Sequence, residues 1–341
     1  MNKKIVTFGE IMLRLAPKGY YRFNQENSFE ATYGGGEANV AVSLANYGLQ
    51  ASFVTKLPNH AIGMGAIKDL RAQGVDTTKI TLGGERVGIY FLEKGASQRA
   101  SQVIYDRAYS AIALASLEDF DFDEIFKDAD WFHFTGITPA LGGDLPKICE
   151  AACKAAKANN VTISCDLNYR KKLWSTKEAQ MVMSKLAQYI DVCIANEEDA
   201  EKVFGISATT TDITSGEINH QGYIEVAKQL QEKYGFAKVA ITLRESISAN
   251  DNNWSAMLYT DNQAYFSKRY SLHIVDRVGG GDSFAGGLIY SLLQNFDNQK
   301  TIEFASAASA LKHSIEGDYN RVSVTEVETL LKGDGSGRVQ R

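Results

Sequence analysis

The sequence predicts an α/β fold with a mostly parallel sheet covered by helices on both faces. Three observations carry this. Short, near-continuously apolar runs recur along the chain. Amphipathic stretches of helical period separate most of them. Glycine and polar residues gather where the runs end. Runs that are apolar throughout, rather than alternating, suit strands covered on both faces, and strand–helix alternation argues parallel connections. With 341 residues, 44% hydrophobic and 23% charged, the chain is long enough to bury a large core without disulfide or metal staples.

In chain order the strands expected are Ile5–Phe8, Ala51–Thr55, Trp131–Thr135, Val161–Asp166, Asp191–Ala195 and Val239–Leu243. The helices expected are Ala38–Tyr47, Leu145–Ala158, Lys177–Gln188, Ile224–Tyr234 and Ser283–Leu293. Several strands are expected to end on polar residues, at Asp166, Asn196, Thr242 and Asp276, and ligands bind outside the carboxyl ends of such strands. Two segments break the pattern. Met12–Tyr33 is rich in aromatics, and Arg86–Ala108 contains two alternating runs. Both suit half-exposed antiparallel strands, pairing as a small sheet beside the core. The expected division is therefore a core of residues 1–10, 34–85 and 109–332, a β lid of 11–33 and 86–108, and a flexible tail of 333–341. Ser207–Gly222 reads as a polar surface loop.

Composition excludes several function classes. The net charge of −5 comes with no basic stripe, which argues against nucleic acid. No apolar stretch approaches the length of a membrane span, and the short apolar run before Glu10 does not suit a signal sequence. Cys149, Cys153, Cys165 and Cys193 lack zinc spacing and sit among apolar residues, which suits reduced thiols in a cytoplasmic protein.

The strongest motif is Asp276-Arg-Val-Gly279-Gly280-Gly281-Asp282, entering an apolar helix. Glycines at a helix N-terminus let backbone amides converge on an anion. A carboxylate beside such a hole suits phosphoryl transfer: the amides meet charge on the phosphoryl group while Asp282 takes a proton from the attacking hydroxyl. Simple capping by Asp282 would not need three glycines. No Gly-Lys dipeptide exists for a Walker loop. Gly63-Met-Gly65 only faintly resembles a dinucleotide fingerprint, and it is the sole support for a dehydrogenase reading. A second cluster, Gly34-Gly35-Gly36 before Asn39, would let a ligand approach the backbone.

These two clusters resemble the signatures of the ribokinase-like (PfkB) sugar kinases, over about Lys4 to Leu331. The resemblance implies a Rossmann-type core with a small β lid, ATP as phosphoryl donor, and Mg²⁺. Gly280 stands where the family usually has alanine, a change expected to leave the anion hole intact. Gly95–Arg99, Tyr105-Asp-Arg107, Asp166-Leu-Asn-Tyr-Arg170 and Gly317-Asp318 are similar to the branch acting on 2-keto-3-deoxygluconate. That similarity assigns the acid end of a sugar to Tyr90, Tyr105, Arg107 and Arg170, its hydroxyls to Asp318, and its underside to Gly34, Gly35 and Asn39. Two arginines independently suit a carboxylate, which guanidinium grips bidentately.

On the nucleotide side the resemblance implies Asn168, Asn196, Thr242, Arg244 and Ser246, with Gly279 and Gly281, and Glu198 toward Mg²⁺. It places the adenine near Ala307–Ser314. Thr242-Leu-Arg244-Glu-Ser246-Ile247 lacks the glycines usual there. The expected reaction is phosphorylation of the terminal (6-) hydroxyl of 2-keto-3-deoxygluconate. A kinase for fructose or 5-keto-2-deoxygluconate, or a non-catalytic sugar-binding protein of the same fold, remains open. An apolar lid face suggests a homodimer or higher homo-oligomer.

Overall fold

The computed structural model describes residues 3–25, 27–196, 198–208, 220–333 and 335. In chain order its principal strands are β1 (Lys4–Phe8), β2 (Met12–Ala16), β3 (Glu30–Gly34), β4 (Gln50–Val54), β5 (Gly88–Glu93), β6 (Gln102–Asp106), β7 (Trp131–Thr135), β8 (Thr162–Asp166), β9 (Val192–Ala195), β10 (Lys238–Ser246), β11 (Asp251–Thr260), β12 (Gln263–Phe266) and β13 (Tyr270–His273). The helices used below are α1 (Gly36–Asn46), α2 (Ala61–Ala72), α3 (Leu145–Ala158), α4 (Thr176–Leu186), α5 (Asp199–Phe204), α6 (His220–Tyr234), α7 (Gly280–Leu293) and α8 (Asn298–Lys312).

Among the described residues, nine strands form the main sheet. Its order is β12-β11-β10-β9-β8-β7-β1-β4, with β13 also on β11. From β4 through β10 every pairing is parallel. The apolar runs are explained by their two faces. Within β1, Val6 and Phe8 enter one core while Ile5 enters the other; Cys193 and Ala195 of β9 face the first, and Val192 and Ile194 the second. Each strand thus favours apolar residues on both faces, with buried polar exceptions such as Thr7, His133 and Ser164. Helices α3, α4 and α6 contribute to the first core, and α1, α2 and α7 to the second.

The sheet grows outward in both directions from β1, so the chain reverses between β1 and β7. The crevice beyond their carboxyl ends is the place where such sheets bind ligands. Glu10 follows β1, Thr135 ends β7, and the N-terminus of α7 points into this crevice.

A second sheet, ordered β3-β2-β5-β6, arises from the two aromatic and alternating segments. Its outer pairings are antiparallel as expected, but the central one, β2 with β5, is parallel. The core excursion between those strands brings the chain back in the same direction.

Other expectations need correction. Asp276 does not end a strand; it lies in the loop after β13, which is antiparallel on β11. Helix α7 begins at Gly280, so Gly281 and Asp282 belong to its first turn. β10 runs on to Ser246 because β11 pairs with it throughout, from Val239 opposite Tyr259 to Ser246 opposite Asn252. His220–Gly222 form the first turn of α6 rather than loop. Positions 209–219 of that loop, and all but Gly333 and Gly335 of the tail, lie outside the described residues. Gly63 sits inside α2, not before a helix, which removes the dinucleotide reading. Among the described residues no helix is long and apolar enough to cross a membrane. All four cysteines are buried and unpaired.

Candidate active site

The crevice is lined by residues from both glycine clusters, from the strand ends and from the second sheet. The glycine loop is built first. Gly279 takes φ +79°, and a Cβ there would lie 1.9 Å from the Asp318 carbonyl oxygen, so only glycine fits. Gly280 packs under the His313 ring: a Cβ would sit 2.4 Å from its Cε1. An alanine methyl would have no room here unless the ring shifted. Gly280 is therefore matched to His313, in keeping with a change that leaves the anion hole intact.

Asp282 is half-buried in the first turn of α7, where the helix dipole favours an anion. Asn39 Nδ2 donates to its Oδ2 at 2.6 Å. Asn39 Oδ1 in turn accepts from Gly35 N at 3.2 Å, so the two glycine clusters are joined through one side chain. Burial pushes the Asp282 carboxyl up to about 6, assisted by Asp318 and opposed by Asn39, Arg170 and Lys312. A base of that pKa is ionised near neutral pH yet still proton-avid.

The second sheet supplies the opposite wall. Tyr90 donates its hydroxyl to Asp318, with oxygens at 2.6 and 2.7 Å. Tyr105 is 39% exposed, and its ring lies 5.3 Å from the Arg107 guanidinium. Arg107 does not balance Asp106, which pairs with Arg86 at 2.9 Å. It is buried against Glu10, donating from Nε at 2.7 Å and also from a terminal nitrogen. Ser110 Oγ adds a bond to the other Glu10 oxygen at 2.6 Å. Arg107 is thus a preset, charge-compensated fork facing the crevice.

On the core side, Asp166, Asn168, Arg170, Asn196, Thr242 and Arg244 line the same crevice. Asn168 has φ +41°, a turn asparagine tolerates better than most residues. Asp166 is raised well above the usual carboxylate range by burial and by the Asp199 and Asp282 charges. Two expected residues fall outside the crevice. Ser246 is exposed near the far end of β10, and Glu198 is exposed at the start of α5, lining the neighbouring groove. Asn196 Oδ1 accepts from the amides of Glu198 and Asp199, so this asparagine also shapes the entry to α5. Among the described residues no group of three or more His, Cys, Asp or Glu side chains could hold a metal ion.

Several site residues escaped the sequence reading. Glu10 was findable, since it follows β1 as Asp166 ends β8. Arg14 carries no motif; it is 4% exposed and bonds Asp276 at 2.6 Å and Asp318 at 2.7 Å. Burial opposes its charge, but the two carboxylates outweigh that and raise its pKa. Glu37 is buried and accepts from Thr135 N, Thr135 Oγ1 and Thr138 Oγ1. Burial pushes its carboxyl up to about 6. Lys312 and His313 emerge only from the packing of α8.

The pfkB family of carbohydrate kinases matches residues 2–324 of the chain. The crystal structure of a 2-dehydro-3-deoxygluconokinase from Thermotoga maritima is 56% identical, covers 98% of this chain and 99% of its own, and superposes with a TM-score of 0.94. A 2-dehydro-3-deoxygalactonokinase of Haloferax volcanii is 31% identical over 337 residues, 99% of each chain. A fructokinase from Xylella fastidiosa with bound ATP shares the fold at 23% identity and a TM-score of 0.75, covering 97% of this chain and 99% of its own.

Proposed function

The chain belongs to the pfkB family of carbohydrate kinases, and from that premise we propose that it transfers the γ-phosphoryl group of ATP to the terminal (6-) hydroxyl of 2-keto-3-deoxygluconate. One observation carries the reading: a carboxylate with a pKa of about 6, Asp282, stands at a glycine-built helix N-terminus in a crevice that also holds arginines. Asp282 accepts the proton of the attacking hydroxyl. The amides of Gly279–Asp282 meet the charge that develops on the phosphoryl oxygens. Arg107 and Arg170 receive the sugar carboxylate, Tyr90, Tyr105 and Asp318 its oxygens, and Gly34, Gly35 and Asn39 its lower face. Asn168, Asn196, Thr242 and Arg244 flank the nucleotide.

Mg²⁺, when bound with ATP, would neutralise phosphate charge. The acidic residues fit it only sparsely, which suits an ion that keeps several waters and takes its other ligands from phosphates. Of the crevice carboxylates we assign Asp166 a helping role, and Glu198, outside the crevice, would reach the ion only through water. Closure of the second sheet as a lid would exclude water, which competes with the sugar as acceptor. We place the protein in a reducing cytoplasm, on its buried thiols. We assign it a homodimer through the lid, whose edge strand β6 leaves Ile104 52% exposed. Light scattering on the purified chain tests that assembly.

The deciding experiment is an ADP-release screen over 2-keto-3-deoxygluconate, its 4-epimer, 5-keto-2-deoxygluconate, fructose and related neutral hexoses. The acid 2-keto-3-deoxy sugars should dominate. Turnover confined to neutral hexoses would overturn the role given to Arg107 and Arg170.

A further inference from the structure

Lys312 ends α8 with no exposed surface. Its Nζ is met by backbone oxygens: Asp276 O at 3.2 Å, Ile315 O at 3.5 Å, and Val278 O in close contact. Two of these carbonyls lie in the segment leading into the glycine loop, and the third in the segment leading to Asp318. The same helix grips the loop twice more. Ser309 Oγ donates to Gly280 O at 2.7 Å, and His313 O accepts from Val275 N at 2.8 Å.

A peptide unit is planar and trans, so its C=O and N–H point in opposite directions. Drawing Val278 O toward Lys312 turns the Gly279 N–H away from α8. Holding Gly280 O on Ser309 does the same for the Gly281 N–H. The side opposite α8 is the crevice. Burying an ammonium is costly, and burial lowers the pKa of Lys312, while the Asp276, Asp318 and Asp282 charges act to keep it protonated. A neutral side chain could fill the volume without that cost, so the charge itself is what the loop uses.

We propose that Lys312 is a positioning residue for phosphoryl transfer, a tethered internal cation whose hold on the Asp276, Val278 and Ile315 carbonyls presents the glycine-loop amides to the transferring group. It does with a covalently held charge what a small dissolved cation could do in the same carbonyl cradle. The inference rests on the kinase reading of the crevice and adds a residue that touches neither substrate.

The test compares wild type, Lys312→Met and Lys312→Gln in tetramethylammonium buffer, with and without added ammonium chloride. The sugar acid is the one the wild type turns over best. ATP affinity is read by calorimetry and folding by melting temperature. For Lys312→Met, kcat should fall about 10- to 100-fold, as for other residues that orient a site from behind, while ATP affinity and the sugar KM change little. Ammonium should restore part of that kcat and leave the wild type unchanged. Lys312→Gln, which keeps N–H donors without charge, should also lose kcat and serves where the methionine variant does not fold. The proposal is overturned by unaltered kcat in the variants, by a loss that ammonium does not restore and that follows melting temperature, or by wild-type activation by ammonium. A wild type inactive on every sugar would instead sink the kinase reading.

Discussion

Replacing Asp282 by asparagine removes the proposed base while keeping its shape. The amide oxygen of the substituted side chain can still accept from Asn39 Nδ2, which lies 2.6 Å from the native carboxylate. The catalytic loss expected for a positioned general base is about 10²- to 10⁴-fold in kcat. The same change should stabilise the fold, and the sign follows from the pKa. In the folded chain Asp282 rises from 3.8 to about 6, so the folded state holds the proton more tightly than the unfolded one. The stability that this brings is full below about pH 4 and is lost as pH rises through about 6. Two units correspond to about 3 kcal/mol. The carboxylate faces an open crevice, and water there screens part of it, leaving about 1–2 kcal/mol for the variant to recover at neutral pH. The assays are ADP release, calorimetry with ATP, and melting at pH 8 and pH 4. A variant with normal turnover, or with intact ATP binding but no gain at pH 8 over pH 4, would refute the base and its strained ionisation respectively. In the wild type, kcat/KM should fall as pH drops through about 6.

Arg107→Lys keeps the charge facing Glu10 but loses the planar fork; KM for the acid sugar should rise about tenfold with kcat nearly held. Tyr90→Phe removes the hydroxyl that Asp318 accepts, and should cost about 1–2 kcal/mol in unfolding free energy together with weaker sugar binding, read by denaturant titration and KM. Gly280→Ala forces a Cβ into the His313 ring; about 1–3 kcal/mol of stability should be lost, and His313→Ala in the same chain should recover part of it. Asp166→Asn should raise the Mg²⁺ concentration for half-maximal rate without altering the pH limb near 6.

The layered core was legible because a doubly covered strand is apolar on both faces, as Ile5, Val6 and Phe8 are around a buried Thr7. The glycine loop was legible because its conformation restricts residue type at Gly279. Three things were not. The antiparallel extension of the sheet by β11–β13 was not anticipated: β11 is buried almost throughout, yet it opens on Asp251-Asn-Asn and so mixes polar with apolar residues. The parallel pairing of β2 with β5 depends on the whole intervening excursion, not on either strand. Lys312 sits in a run of alanines and serines, and nothing local distinguishes a lysine that will be buried from one that will face water. Sequence patterns identify residues whose backbone geometry is demanding, and miss residues that act by touching someone else's backbone.

That distinction explains how an acidic chain can hold a site for anions. Net charge is −5, but the crevice charges are sorted by wall. Arg14 is spent on Asp276 and Asp318, and Arg107 is compensated by Glu10. On the core side Asp166 and Asp282 are both raised by burial, and Arg277 is lowered by burial and by the nearby Arg244 charge. The lid-side arginines are therefore compensated within the protein, while on the core side burial opposes the charge of Asp166, Asp282 and Arg277 alike. On the kinase reading, phosphate beside Arg244 and Arg277 and a cation or transferable proton beside the carboxylates would offset these costs. In the proposed reaction Asp282, whose burial favours its protonated form, would be relieved of an unfavourable charge on taking the proton of the attacking hydroxyl.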